Sequence, residues 1–127
     1  MTAYTLSVLP LCLAVCRLPA EDPVPVWATG GAWWNVARTH DELSIICTVE
    51  AVPADAPADH DWTVLQVAGP FDFSVTGVIA ELSAPLAAAG IPILSVSTYT
   101  TDYILVKADR LATVVEVLGQ TGHTIRR

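Results

Sequence analysis

The amino-acid sequence predicts an α+β protein whose C-terminal half has a ferredoxin-like β-α-β-β-α-β order. Within residues 75–89 apolar residues recur four, three and four positions apart, which is the spacing of one helix face. A second apolar period, at residues 111–118, marks another helix. Short runs rich in Val, Ile and Tyr lie between these helices and favour strands. The expected architecture is an antiparallel sheet that carries both helices on one face.

The first twenty residues are expected to form a buried strand, because apolar residues fall on both of its faces. No Lys or Arg precedes this run and Pro10 interrupts it, which argues against a signal peptide. The run is also too short to cross a bilayer. We therefore expect a cytoplasmic protein in which Cys12, Cys16 and Cys47 are reduced core residues.

The remainder of the N-terminal half is predicted to contain one helical turn at residues 26–28 and two strands. The strands, residues 33–38 and 43–49, are joined by a polar connection of ordinary hairpin length. Residues 53–61 are rich in Pro, Ala and Asp and are predicted to be an exposed loop. We expect an N-terminal subdomain at residues 1–52 and a C-terminal domain at residues 62–127.

The C-terminal half begins with an alternating strand at residues 63–68, which Gly69-Pro70 ends. In the helix that follows, Pro85 should cause a kink or an early end, and Gly90 is placed to stop it. Three further strands are predicted, at residues 91–96, 103–106 and 123–125.

The charge of the chain excludes several classes of function. The net charge is −7 and only six Lys and Arg are present, so neither nucleic acid nor a membrane surface is an expected partner. The sequence contains no P-loop, no G-x-G-x-x-G and no metal-ligand spacing. No His is tied to a candidate nucleophile. We expect no cofactor, no metal and no enzyme activity.

Two loops carry polar groups that suit a small ligand. The hairpin insert at residues 97–102 offers five hydroxyl groups and the Asp102 carboxylate. The turn at residues 70–77 leads into a helix N-terminus, where free backbone N–H groups attract a carboxylate. Ser74 is the expected N-cap of that helix.

The hairpin also carries a family resemblance. Residues 93–106, ILSVSTYTTDYILV, resemble the Ser-Thr-aromatic-x-x-Asp-x-x-Leu-Val signature of ACT-type domains. The resemblance is to the branch that contains the regulatory domains of aspartate kinases and the CASTOR arginine sensors. It implies that the N-terminal half is an incomplete second ACT-like unit packed beside the first.

The resemblance further implies an amino-acid ligand, bound between the two loops at a subunit interface. It assigns ligand contacts to Ser74, Val75, Thr76, Gly77, Thr98, Tyr99, Thr101 and Asp102. In the arginine sensors the matching Asp pairs with a cationic side chain, which suits a carboxylate. Those sensors have an aromatic residue where this chain has Thr101, so the resemblance does not carry arginine itself across.

The sequence therefore predicts a small-molecule sensor or regulatory domain that acts on an unidentified protein target. Exposed sheet edges, which natural proteins pair or cover, predict a homodimer with two-fold symmetry. Two alternatives stay open. One is an interaction or scaffold module without a ligand, and the other is a small enzyme that uses Asp72 or Asp102 as a base.

Overall fold

A computed structural model describes residues 2–127, which divide into two compact units. One unit is Leu11–Trp62, and the other combines residues 2–10 with Thr63–Arg127. The predicted division, at residues 1–52 and 62–127, differs from these units in the placement of the first ten residues and of residues 53–62.

The N-terminal run forms two strands and not the single strand that was predicted. Strand β1 is Thr5–Val8 and strand β2 is Leu13–Leu18, with Pro10 between them. β1 pairs with the C-terminal strands of its unit, whereas β2 belongs to the Leu11–Trp62 unit. The apolar run was therefore correctly identified as buried, but Pro10 separates two strands that have different partners.

The Leu11–Trp62 unit is an antiparallel sheet with a 3₁₀ turn at Val26–Thr29. Strands β3, Trp34–Arg38, and β4, Leu43–Thr48, form the predicted hairpin, and residues 39–42 connect them. Strand β5 is Ala58–Val67. The order in this unit is β3-β4-β2-β5, where only the first part of β5 takes part.

Strand β5 starts earlier than predicted, because Ala58 and Asp59 pair with β2. The side chains of residues 59–61 stay exposed, so their polar composition resembles that of a loop. The prediction of a loop through residue 61 was therefore wrong for its last four residues. Long-range strand pairing decided the structure there.

Both cysteines in the core of this unit are free thiols, as is the half-buried Cys12. Cys16 and Cys47 are fully buried together with Leu43 and Ile45. Burial, and then the neighbouring Cys47 thiol, raise the pKa of Cys16 to about 11. The Cys16 thiol is thus a packing group and is protonated at neutral pH.

The other unit has the predicted β-α-β-β-α-β order, with β1 as an added strand. The elements after β5 are α1 Val78–Ala88, β6 Leu94–Ser97, β7 Asp102–Lys107, α2 Leu111–Gln120 and β8 Thr124–Arg126. The sheet order in this unit is β6-β7-β5-β1-β8, and β1 lies parallel to β8 and antiparallel to β5. This arrangement confirms the ferredoxin-like α+β prediction.

Helix α1 begins three residues later than predicted. Its N-cap is Gly77, which has a φ of 89°, so Ser74 is not the N-cap. Glycine adopts this left-handed conformation without steric cost, and the chain turns there into the helix. Val75 consequently stays outside the helix and is 46% exposed.

The buried face of α1 is formed by three residues. Val78, Leu82 and Leu86 recur every four residues and are buried in the core of the unit. Pro85 lies within the helix, which continues to Ala88, so the proline does not end it. Gly90, with a φ of 72°, follows the helix as predicted. No helix within residues 2–127 is long and apolar enough to cross a membrane.

Candidate functional site

A cavity of about 320 Å³ lies in the unit that contains α1. We call residues 68–77 the strand-to-helix loop and residues 98–101 the hairpin loop. Both loops line the cavity, together with the first turn of α1 and the strand residues that flank the hairpin loop. The volume is at the lower end of the range of small-molecule pockets, about 300–1,000 Å³.

The hairpin loop is a compact turn of four residues. Ser97 pairs with Asp102 across the strands, and the Thr98 N–H donates to the Thr101 carbonyl at 2.9 Å. The Ser97 hydroxyl donates to Oδ1 of Asp102 at 2.6 Å. This bond uses one carboxylate oxygen and fixes the orientation of the Asp102 side chain at the cavity wall.

The strand-to-helix loop is shaped by Asp72. Its Oδ1 accepts a hydrogen bond from the Ser74 N–H at 3.3 Å, and its carbonyl accepts one from the Val75 N–H at 3.0 Å. Ser74 and Thr76 are exposed and are not among the residues that line the cavity. Asp72 and Val75 do line it.

The two loops contact each other directly. The Phe71 N–H donates to the Thr100 carbonyl at 2.7 Å. The Thr101 hydroxyl donates to the carbonyl of Val67, at the end of β5. Thr101 therefore lines the cavity, but its hydroxyl donates its hydrogen to a backbone carbonyl and cannot donate it to a ligand as well.

The N-terminus of α1 forms the positive part of the cavity wall. No side chain caps this end of the helix, so its first backbone N–H groups are available to an anion. Val78, Ile79 and Ala80 line the cavity here and have apolar side chains. The polar groups that they offer to a ligand are therefore backbone N–H groups.

The charged side chains of the cavity are both acidic. Asp72 and Asp102 line it, and no Lys, Arg or His is found among the lining residues of the described chain. Positive potential comes from the helix N-terminus, and negative potential comes from these two carboxylates. The cavity thus combines one site for an anionic group with two for cationic groups.

Two aromatic rings stand at the edge of the cavity with most of their surface in solvent. Phe73 is 74% exposed and Tyr99 is 79% exposed. Their ring centroids are 4.8 Å apart with an interplanar angle of 62°, an edge-on contact. Phe73 was not predicted as a site residue. Its position between Asp72 and Ser74, in a loop expected to be exposed, was the available signal.

A buried cluster lies behind the cavity wall. The Tyr4 ring meets Phe71 edge-on at 6.1 Å and stacks on the His123 imidazole at 5.6 Å. Nδ1 of His123 accepts a hydrogen bond from the Tyr4 N–H at 3.1 Å, which places the imidazole hydrogen on Nε2. Burial, and then the nearby Glu81 carboxylate, raise the pKa of the Tyr4 hydroxyl. This packing supports the side of Phe71 that faces away from the cavity.

The structure brings together six of the eight predicted site residues. These six line the one cavity: Val75, Gly77, Thr98, Tyr99, Thr101 and Asp102. The other two, Ser74 and Thr76, lie on the exposed part of the strand-to-helix loop. Their displacement from the cavity follows from the late start of α1, because the loop makes a further turn before Gly77.

Comparison with protein families identifies two regions. The ACT domain family model matches residues 58–120, and a model for an N-terminal domain matches residues 12–55. Among curated proteins, the human cytosolic arginine sensor for mTORC1 subunit 1 is 38% identical over 58 residues. That alignment covers 45% of this chain and 18% of the sensor, so the chain matches less than a fifth of the relative's length.

Solved structures extend the similarity to the whole chain. A protein from Agrobacterium tumefaciens is 34% identical, with a TM-score of 0.93 over 98% of this chain and 93% of that one. The regulatory subunit of aspartate kinase from Thermus thermophilus is 13% identical, with a TM-score of 0.61 over 89% of this chain and 95% of that one. The second likeness shows the fold alone.

The family match and the cavity define the class of protein, which is an α+β ACT-type domain with a cavity of small-molecule size. Residues 58–120 of the chain belong to the ACT domain family.

Proposed function

We propose that this protein is a regulatory domain that binds an amino acid in the cavity between the strand-to-helix loop and the hairpin loop. One observation carries the proposal: the uncapped N-terminus of α1 and the Asp102 carboxylate line the same cavity. The helix N–H groups suit the ligand's carboxylate. Asp102 suits an ammonium or guanidinium group.

The charges of the cavity favour a ligand with a basic side chain. Asp72 and Asp102 disfavour an acidic side chain by like-charge repulsion, and no lining cation compensates. A basic amino acid supplies one anionic group and two cationic groups, which matches the groups that the cavity offers. The human relative is named as an arginine sensor, which supports the same ligand class.

The ligand contacts are assigned to residues that reach the cavity. The backbone at Gly77 and the first turn of α1 receive the carboxylate. Asp102 receives the side-chain cation, and Thr98 and Tyr99 contribute from the hairpin loop. Val75 supplies an apolar contact.

A thermal-shift screen against the twenty amino acids tests this function. Arginine or lysine is expected to raise the melting temperature, because a ligand that binds only the folded state stabilises it. At a ligand concentration one hundred times Kd the stabilisation is about 2.7 kcal/mol. A screen in which none of the twenty shifts the melting temperature contradicts the proposal.

We also propose that the protein is a homodimer and that a second copy covers the edge of the cavity. Phe73 and Tyr99 expose large rings beside the half-exposed Val75, and such apolar groups are typical of interfaces. A two-fold contact would place the same three side chains on both copies.

Light scattering at micromolar concentration is expected to give twice the mass of one chain. A monomer under these conditions contradicts the dimer. The thermal-shift screen separates the scaffold alternative, in which the dimer forms but no amino acid changes the melting temperature. An enzyme that uses Asp72 or Asp102 as a base would instead require turnover of a bound ligand.

A further inference from the structure

The hairpin loop is fastened to the strand-to-helix loop and to the end of β5 by two hydrogen bonds and one close backbone approach. The bonds run from the Phe71 N–H to the Thr100 carbonyl and from the Thr101 hydroxyl to the Val67 carbonyl. The close approach is that of Gly69 to Thr100. We call these three interactions the cross-loop contact.

The approach at Gly69 leaves no room for a side chain. A Cβ atom at this position would lie 2.9 Å from the Thr100 carbonyl oxygen and 3.3 Å from the Phe71 nitrogen. Both neighbours are backbone atoms, which cannot move aside as the end of a flexible side chain can. Gly69 is not among the positive-φ glycines, so glycine is required here by space and not by backbone conformation.

Thr101 completes the contact from the hairpin side. It is only 7% exposed although its neighbours Thr100 and Tyr99 are exposed. Its hydroxyl donates to a carbonyl of the fully buried Val67, in the last position of β5. The Thr101 side chain is thus buried although it belongs to an exposed loop, and its hydroxyl donates a hydrogen bond to β5. This bond fixes the distance between the hairpin loop and β5.

We propose that Gly69 and Thr101 are positioning residues, which hold the two loops at one separation so that the cavity exists before a ligand enters. Pre-formed sites bind more tightly because less ordering is required on binding. The effect on affinity rests on the proposed function, whereas the fastening of the loops does not. Thr101 thereby acts on the ligand through the loop and not through its own hydroxyl.

Hydrogen exchange of the Phe71 amide, followed by NMR in the ligand-free protein, tests the fastening. Thr101→Val removes the hydroxyl with little change of shape, and exchange at Phe71 is expected to rise about tenfold, as for loss of one buried hydrogen bond. Thr101→Ser restores the hydroxyl and should keep the parent rate. The Leu86 amide, in α1, serves as the reference for global opening.

Gly69→Ala gives an independent second variant. It should also raise exchange at Phe71, because its Cβ pushes the Thr100 carbonyl away. The matched control is Gly119→Ala, where no atom lies within 4 Å of the new Cβ and where φ is not positive. Parent-like protection of Phe71 in both Thr101→Val and Gly69→Ala would overturn the proposal.

Calorimetry with L-arginine and L-lysine tests the consequence for binding. Affinity is expected to fall about tenfold in Thr101→Val and to be restored in Thr101→Ser. Unchanged affinity in Thr101→Val, with Phe71 exchange increased, would overturn the positioning role. If the parent binds neither amino acid, the proposed ligand is wrong, and the exchange measurements still decide whether the loops are fastened.

Discussion

Asp102→Asn is expected to lower the affinity for a basic amino acid by about ten- to a hundredfold. The substitution keeps the shape of the side chain and removes its charge. A hydrogen bond to a charged group is worth about 1.5–3 kcal/mol, which corresponds to that change in Kd. The Ser97 hydroxyl, which holds the Asp102 side chain at 2.6 Å, can still donate to the amide oxygen. Loss of affinity would then reflect the charge and not a change of loop conformation.

The matched control is Asp109→Asn, at an exposed carboxylate of the 3₁₀ turn before α2. It changes the net charge equally and lies outside the lining of the cavity. Isothermal titration of both variants with arginine, lysine and a neutral amino acid separates local from overall charge. Parent-like binding of every amino acid by Asp102→Asn would show that Asp102 has only a role in the turn.

Leu82→Ala is expected to lower the free energy of unfolding by about 2–5 kcal/mol. Leu82 is fully buried on the face of α1 that packs into the core of its unit, between Val78 and Leu86. Truncation removes buried apolar surface and leaves a cavity that the surrounding side chains fill only in part. Urea unfolding followed by circular dichroism measures the change.

Ser83→Ala, one residue further along α1, is the control for helix propensity. It leaves the core unchanged, and its effect is expected to stay within about 0.5 kcal/mol. A loss in Leu82→Ala no larger than that of the control would contradict the observed orientation of α1.

Local sequence signals predicted most of the C-terminal unit. The apolar period of α2 and the stop at Gly90 each depend on neighbouring residues, and the structure confirms both. The separation of β1 from β2 and the first part of β5 were missed, because each depends on pairing with a strand distant in the sequence. Exposed polar side chains on residues 59–61 gave no local sign of that pairing.

The part of the candidate site that could be predicted from the sequence is the part with an unusual composition. The hydroxyl-rich hairpin loop and Asp102 stand out from apolar strands, and both line the cavity. The direction of the Thr101 hydroxyl was not predictable, because it depends on the position of the Val67 carbonyl. Ser74 resembled an N-cap by residue type, but Gly77 can adopt the left-handed conformation that starts α1.

The most direct test of amino-acid binding in this cavity is chemical-shift mapping with ¹⁵N-labelled protein. The amino acid that raises the melting temperature most is titrated, and amide shifts are followed along the chain. The largest changes are expected at residues 71–80 and 97–102, which form the two loops and the first turn of α1. Changes concentrated within Leu11–Trp62, or no changes at saturating ligand, would contradict the assignment of this cavity as the ligand site.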